Sequence, residues 1–149
     1  MKLPDEFERY INKNIARKTK PDKQKAEFLI NESETSLRGV KKRLDLMGID
    51  DDNVNSIVKD CYDIIMELVR AKLLLDGYVA SGNYAHESEI SYLRKLNFLD
   101  SEILFLNELR YSRNSITYYG KILDKEYAEK VVEFLNDIYP KLKRVIDQK

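Results

Sequence analysis

Few side chains in this sequence can do chemistry, and the segment from Leu106 to Gly120 holds the most informative of them. Arg113 lies four residues after Leu109 and three before Ile116, so helical spacing puts it inside an apolar stripe. Charged residues are almost never fully buried without a partner. Arg113 therefore pairs with a buried carboxylate, meets another subunit, or holds an anionic ligand. A structural ion pair, or an arginine snorkelling at the stripe edge, is the plainer alternative. Asn114, Tyr118 and Tyr119 follow it as further polar candidates.

Elsewhere the inventory is short. With one cysteine, Cys61, and one histidine, His86, the chain holds no internal disulfide and no zinc site built mainly from His and Cys ligands. There is no Gly-rich phosphate loop, no His-Glu-x-x-His and no Gly-x-Ser-x-Gly. Asp60, Asp63 and Glu67 are spaced three and four apart, which puts them on one helix face; a solvated polar face is the first reading. Between Arg9 and Lys25 seven basic residues stand against one acidic residue, Asp22. Arg9, Lys13, Arg17, Lys18 and Lys20 thus form a local basic stripe able to meet nucleic-acid phosphate, or merely a soluble helix terminus.

The elements that must position these groups are helices. The 149 residues suit one domain, and 43% hydrophobic with 35% charged residues is a globular composition. Five glycines and three prolines are too few for a many-stranded sandwich or barrel. Twenty-six basic and twenty-six acidic residues leave no global field toward nucleic acid or membrane. The opening MKLPDEFERY lacks a signal peptide's apolar core, and no segment approaches a membrane span, so a cytoplasmic location without membrane contact is expected.

Periodicity predicts a basic first helix from Pro4 to about Lys18, within residues 1–20, and a second from Asp22 to Met47 on a heptad-like seam of Ala26, Ile30, Ser33, Leu37, Val40 and Leu44. Asp50–Asn53 reads as the capped start of a broad-faced central helix running to about Tyr78. A loop over residues 79–84, a short helix from His86 to Leu96, a helix from Asp100 to near Gly120, and a last helix capped by Asp124 and kinked at Pro140 complete an antiparallel up-and-down bundle of five to six helices.

Arg113-Asn114-Ser115-Ile116-Thr117-Tyr118-Tyr119-Gly120 resembles the signature helix of the HEPN superfamily (higher eukaryotes and prokaryotes nucleotide-binding): an Arg, a polar residue often Asn, several more, then His. The passage from Ala71 through Gly77-Tyr78 to His86 looks like that family's long helix, loop and short helix, and the similarity spans residues 53–142. The resemblance implies an all-α bundle that dimerises and brings two arginine motifs into one cleft. It also implies the toxin or partner component of a system with a minimal nucleotidyltransferase antitoxin, RNA or nucleotide phosphate met by Arg113 with Asn114 in support, no cofactor and, if active, metal-independent endoribonuclease chemistry.

The histidine's place, five residues after Arg113, holds Tyr118, and the next holds Tyr119. A phenol with a pKa near 10 exchanges protons poorly at neutral pH, a loss on the order of 10²–10⁴-fold unless the site lowers that pKa. Tyr118 and Tyr119 are also candidates for nucleotidyl transfer by the partner, or for plain core or interface roles. Capping or local hydrogen bonding is the expected role of His86. A non-catalytic helical protein–protein interaction module, or an unrelated bundle with a structural Arg113, are the alternatives that these departures keep open.

Overall fold

The computed structural model describes residues 2–148. Its architecture is all-helical apart from one short two-stranded ribbon: α1 (Phe7–Asn12), β1 (Ala16–Lys18), α2 (Lys23–Met47), α3 (Val54–Asp76), β2 (Tyr78–Ala80), α4 (Ala85–Ser91) with a 3₁₀ turn at Tyr92–Leu96, α5 (Asp100–Tyr119) and α6 (Lys125–Asp147). No helix among the described residues is long and apolar enough to cross a membrane.

Helix α3 is the axis. Val54, Ile57, Val58, Cys61, Tyr62, Ile64, Ile65, Met66, Leu68, Val69, Ala71, Leu73 and Leu74 are all buried, so apolar side chains cover most of its circumference. A helix of that kind must be surrounded, and α2, α4, α5, α6 and β2 all pack on it. On α2 the buried residues are Ala26, Ser33 and Val40, one every seven positions, which bears out the heptad spacing. Ser33 Oγ donates to the Ile64 carbonyl of α3 at 2.8 Å, so the hydroxyl in the seam is satisfied where the two helices meet.

Helix α6 starts at its expected cap, and α2 is capped by the residue at its expected start. Asp22 accepts from the Lys25 amide at 3.0 Å and Asp124 from the Tyr127 amide at 2.7 Å. Helix α6 runs through Pro140 without a break. The aspartates ahead of α3 behave differently. Asp50 Oδ1 accepts from the amides of Asp52 and Asn53, and Asn53 Oδ1 accepts from that of Asp50, so these side chains tie their own turn together and cap no α3 amide.

The N-terminal region departs most from the sequence reading. The first helix ends at Asn12 rather than running to Lys18. Asn14 takes φ +60°, a left-handed conformation that Asn tolerates, and the chain turns into β1. Ala16, Arg17 and Lys18 pair antiparallel with Ala80, Val79 and Tyr78, which makes a strand of the first residues assigned to the 79–84 loop. Backbone pairing and burial of Ala16 outweigh helical propensity here. The short helix after the loop also divides, α-helical to Ser91 and 3₁₀ to Leu96.

Gly77 makes the ribbon possible. It ends α3 at φ +85°, its carbonyl accepts from Thr19 N at 2.8 Å, and a Cβ there would stand 2.7 Å from the Thr19 carbonyl oxygen. Gly77→Ala should therefore cost at least the ~1–2 kcal/mol of a left-handed alanine, since the clash adds to it. Urea unfolding checks this, and an unchanged midpoint would contradict the tight approach.

Candidate functional site

The part of α3 that the core leaves uncovered carries Asp60, Asp63, Glu67 and Arg70, at successive steps of three, four and three. They are one stripe, and with Ser36 of α2, Met66 and His86 of α4 they line a cavity of about 340 Å³. Arg113 of α5 reaches the rim of this cleft, its Nη2 3.9 Å from Asp63 Oδ1.

The charges around the cavity are satisfied unequally. Arg70 grips Glu89 of α4 through two bonds, Nε to Oε2 at 2.8 Å and Nη2 to Oε1 at 3.0 Å. Glu89 is almost fully buried, and this bidentate pairing is what lets a carboxylate sit there. Asp60 is held by Arg43 of α2. Glu67 forms no ion pair or hydrogen bond among the described residues. Burial, then the neighbouring Glu32 and Asp63 charges, push its carboxyl up to about 7. Burial likewise raises Asp63, against the pull of Arg113.

His86 sits within this network rather than capping its helix. Its Nδ1 lies 2.9 Å from the Tyr62 hydroxyl and its Nε2 3.4 Å from Arg70 Nη2. Burial holds the imidazole below its ordinary pKa, and the Arg70 and Arg113 charges push the same way against Glu89 and Asp63. A second network backs the site from α1 and α5. Glu87 accepts from Tyr10 Oη at 2.7 Å and from Arg110 Nη2 at 3.3 Å, one turn before Arg113.

Arg113 itself is under-satisfied. Its side chain is 26% exposed, its one carboxylate contact is long, and its Nε is buried without a hydrogen-bond partner. A contact of that length between partly exposed groups contributes at most about 1 kcal/mol, whereas an unpaired buried donor costs about 1–3 kcal/mol. The guanidinium is thus poorly served by its own chain.

The other residues singled out from the sequence are not gathered here. Asn114 is half-buried on the next position of α5. Tyr118 and Tyr119 are 73% and 83% exposed in the last turn of α5. At 100° per residue they lie roughly 140° and 120° around the helix from Arg113, on either side, so neither shares its face. Arg9, Lys13, Arg17, Lys18 and Lys20 are exposed, but they are spread over α1, a turn, β1 and the following loop rather than along one helix. Three of them have local partners: Arg9 Nη1 lies 3.9 Å from Asp5 Oδ1, Arg17 donates to Ser81 Oγ at 2.8 Å, and Lys18 lies over the Tyr78 ring.

Sequence reasoning passed over Glu67, Arg70 and His86 as members of one site. The available signal was the stripe of charges at 60, 63, 67 and 70 on a helix otherwise apolar. Among the described residues no three His, Cys, Asp or Glu side chains are arranged to hold a metal ion. In comparisons with protein-family models, curated proteins and solved structures, nothing matches this chain.

The raised carboxyl of Glu67 has a stability consequence. Between its ordinary 4.5 and about 7 the native state binds more protons than the unfolded state, so stability falls as pH rises through that window. Glu67→Gln should flatten the slope and stabilise the protein at pH 8. Urea midpoints at pH 5 and pH 8 test this; a slope that survives the substitution means that another group causes it.

Proposed function

We propose that the chain is a HEPN-type helical protein that holds an RNA or nucleotide phosphate at Arg113. In that reading it acts as a homodimer, as the toxin or partner component of a system containing a minimal nucleotidyltransferase. The single observation that carries the reading is the under-satisfied guanidinium at the cleft rim, with a buried Nε and only one distant carboxylate. With its side chain 26% exposed and its Nη2 3.9 Å from Asp63, the guanidinium keeps donors for a phosphate oxygen, which arginine suits through its fork geometry. The all-helical architecture agrees with the resemblance, and the exposed basic residues Arg9, Lys13, Arg17, Lys18 and Lys20 offer further phosphate contacts.

Metal-independent RNA cleavage, uncertain on the motif tyrosines alone, draws its support from the titratable groups that line the cleft next to Asp63, the residue Arg113 approaches. The tyrosines in the motif histidine's place do not supply that chemistry, since they point away from Arg113. Their exposure supports a second reading, a non-catalytic helical interaction module, in which Tyr118, Tyr119 and Ile122 form an apolar surface for a partner.

Arg113→Ala decides between them. It should leave helicity intact, weaken RNA binding about tenfold or more, reduce the salt slope by about one and abolish cleavage. Wild-type binding and cleavage in the variant would make Arg113 structural and leave the interaction module. The dimer has its own check. Light scattering at micromolar concentration should give twice the 17.6 kDa of one chain, and a single-chain mass removes the homodimer from the proposal.

A further inference from the structure

We propose that His86 and Glu67 are the proton-moving pair of this cleft, His86 as general base and Glu67 as general acid, in cleavage of an RNA phosphodiester held at Arg113. The inference rests on the reading just given and assigns the chemistry to residues outside the signature helix.

Placement comes first. His86 and Glu67 line the same cavity from two elements, the start of α4 and the middle of α3, where Asp63 and Arg70 flank Glu67 on the stripe. The contacts around His86 are compatible with a base at Nε2. Arg70 has only donors to offer, so in that tautomer Nε2 faces it as the acceptor and Nδ1 donates to the Tyr62 oxygen. The Arg70 contact at 3.4 Å is long, which leaves the Nε2 lone pair able to take a proton from a substrate hydroxyl. Tyr62, itself fully buried, fixes the ring from behind. Among the described residues Glu67 has no hydrogen-bond or ion-pair partner, and only the nearby Arg70 charge favours its ionised form.

The step balances without a co-reactant. His86 Nε2 removes the ribose 2′-hydroxyl proton as the 2′-oxygen attacks phosphorus. The bond from phosphorus to the 5′-oxygen breaks, and the Glu67 carboxyl gives its proton to that leaving oxygen. The products are a 2′,3′-cyclic phosphate and a 5′-hydroxyl, and water exchanges the protons back. Arg113 neutralises charge on the non-bridging oxygens.

The electrostatic surroundings suit these roles. Tyr62, Asp63 and Arg70 of α3, Glu89 of α4 and Arg113 of α5 face His86, and burial with the two arginines keeps it neutral and ready to accept at pH 7. Glu32 of α2, with Asp63 and Arg70, faces Glu67, and burial with the two carboxylates keeps part of its population protonated there. A bound phosphate raises both, which strengthens the base and preserves the acid. Surroundings that raise a carboxyl and lower an imidazole in one cleft suit the two groups to an acid–base pair.

The test uses the full-length protein as wild type, His86→Asn, Glu67→Gln and Arg113→Ala, with a short RNA for cleavage and its 2′-deoxy analogue for binding. Circular dichroism confirms that each variant is folded, and Glu67→Gln carries the test if His86→Asn does not fold. Expected are near-wild-type binding by His86→Asn and Glu67→Gln, and cleavage slowed on the order of 10²–10⁴-fold in each. The pH–rate profile should lose its acidic limb in His86→Asn and its alkaline limb in Glu67→Gln. A substrate with sulfur in place of the 5′-oxygen, a leaving group that needs no proton, should recover most of the Glu67→Gln loss and none of the His86→Asn loss. Cleavage at wild-type rates in either variant overturns the pair while the Arg113 reading stands. Wild-type protein that binds RNA without cutting it also overturns the pair and leaves phosphate binding. Wild-type protein that neither binds nor cuts removes both.

Discussion

The near-complete burial of α3 is the constraint on which the rest of this structure depends. A helix covered by apolar side chains on most of its circumference needs neighbours on most sides, and burying each large side chain contributes about 1.5–3 kcal/mol. Five elements supply that cover. On the stretch left uncovered between α2 and α4, Asp60, Asp63, Glu67 and Arg70 share one face. Packing, rather than any local signal, therefore turns Asp60, Asp63, Glu67 and Arg70 from an ordinary polar helix face into a cleft wall.

Charge satisfaction around that wall is uneven. Glu89 receives two bonds from Arg70 and Asp60 is held by Arg43, so those carboxylates are neutralised. Asp63 shares one distant contact with Arg113, and Glu67 has none. The result is one cation with donors to spare beside one carboxyl driven toward its neutral form. A structure selected for stability alone gains by pairing such groups or replacing them with apolar ones. Their persistence side by side is what the proposed anion site accounts for.

Much of the bundle was legible in the sequence because α2, α3, α5 and α6 repeat apolar residues over five turns or more, and such long patterns average out local exceptions. The seam of α2, its start near Asp22 and the Asp124 cap are where the sequence put them. The first helix was misread because Lys13 to Lys18 contains no helix breaker. What ends the helix is pairing with a strand sixty residues away, and no local window contains that partner. Arg113 was legible as an anomaly, a charge at an apolar position. His86 was not, since its role comes from Tyr62 and Arg70 across a tertiary contact. The carboxylates on α3 were visible as one face, but the helices that wall that face were not.

Helix geometry also explains why the residues that follow Arg113 are ill placed to assist it within one chain. Five or six positions further along, a side chain has rotated more than a quarter turn away from the cleft. A proton-exchanging group for Arg113 must then come from another element, and α4 brings one to the same gap. The start of α4 is set by the turn at Gly77 and the ribbon of β1 on β2, which carry the chain from the end of α3 back along it. Under the proposed reading, the left-handed glycine and the short strands are part of the functional apparatus. They decide where His86 stands relative to Arg113, although neither touches the cleft.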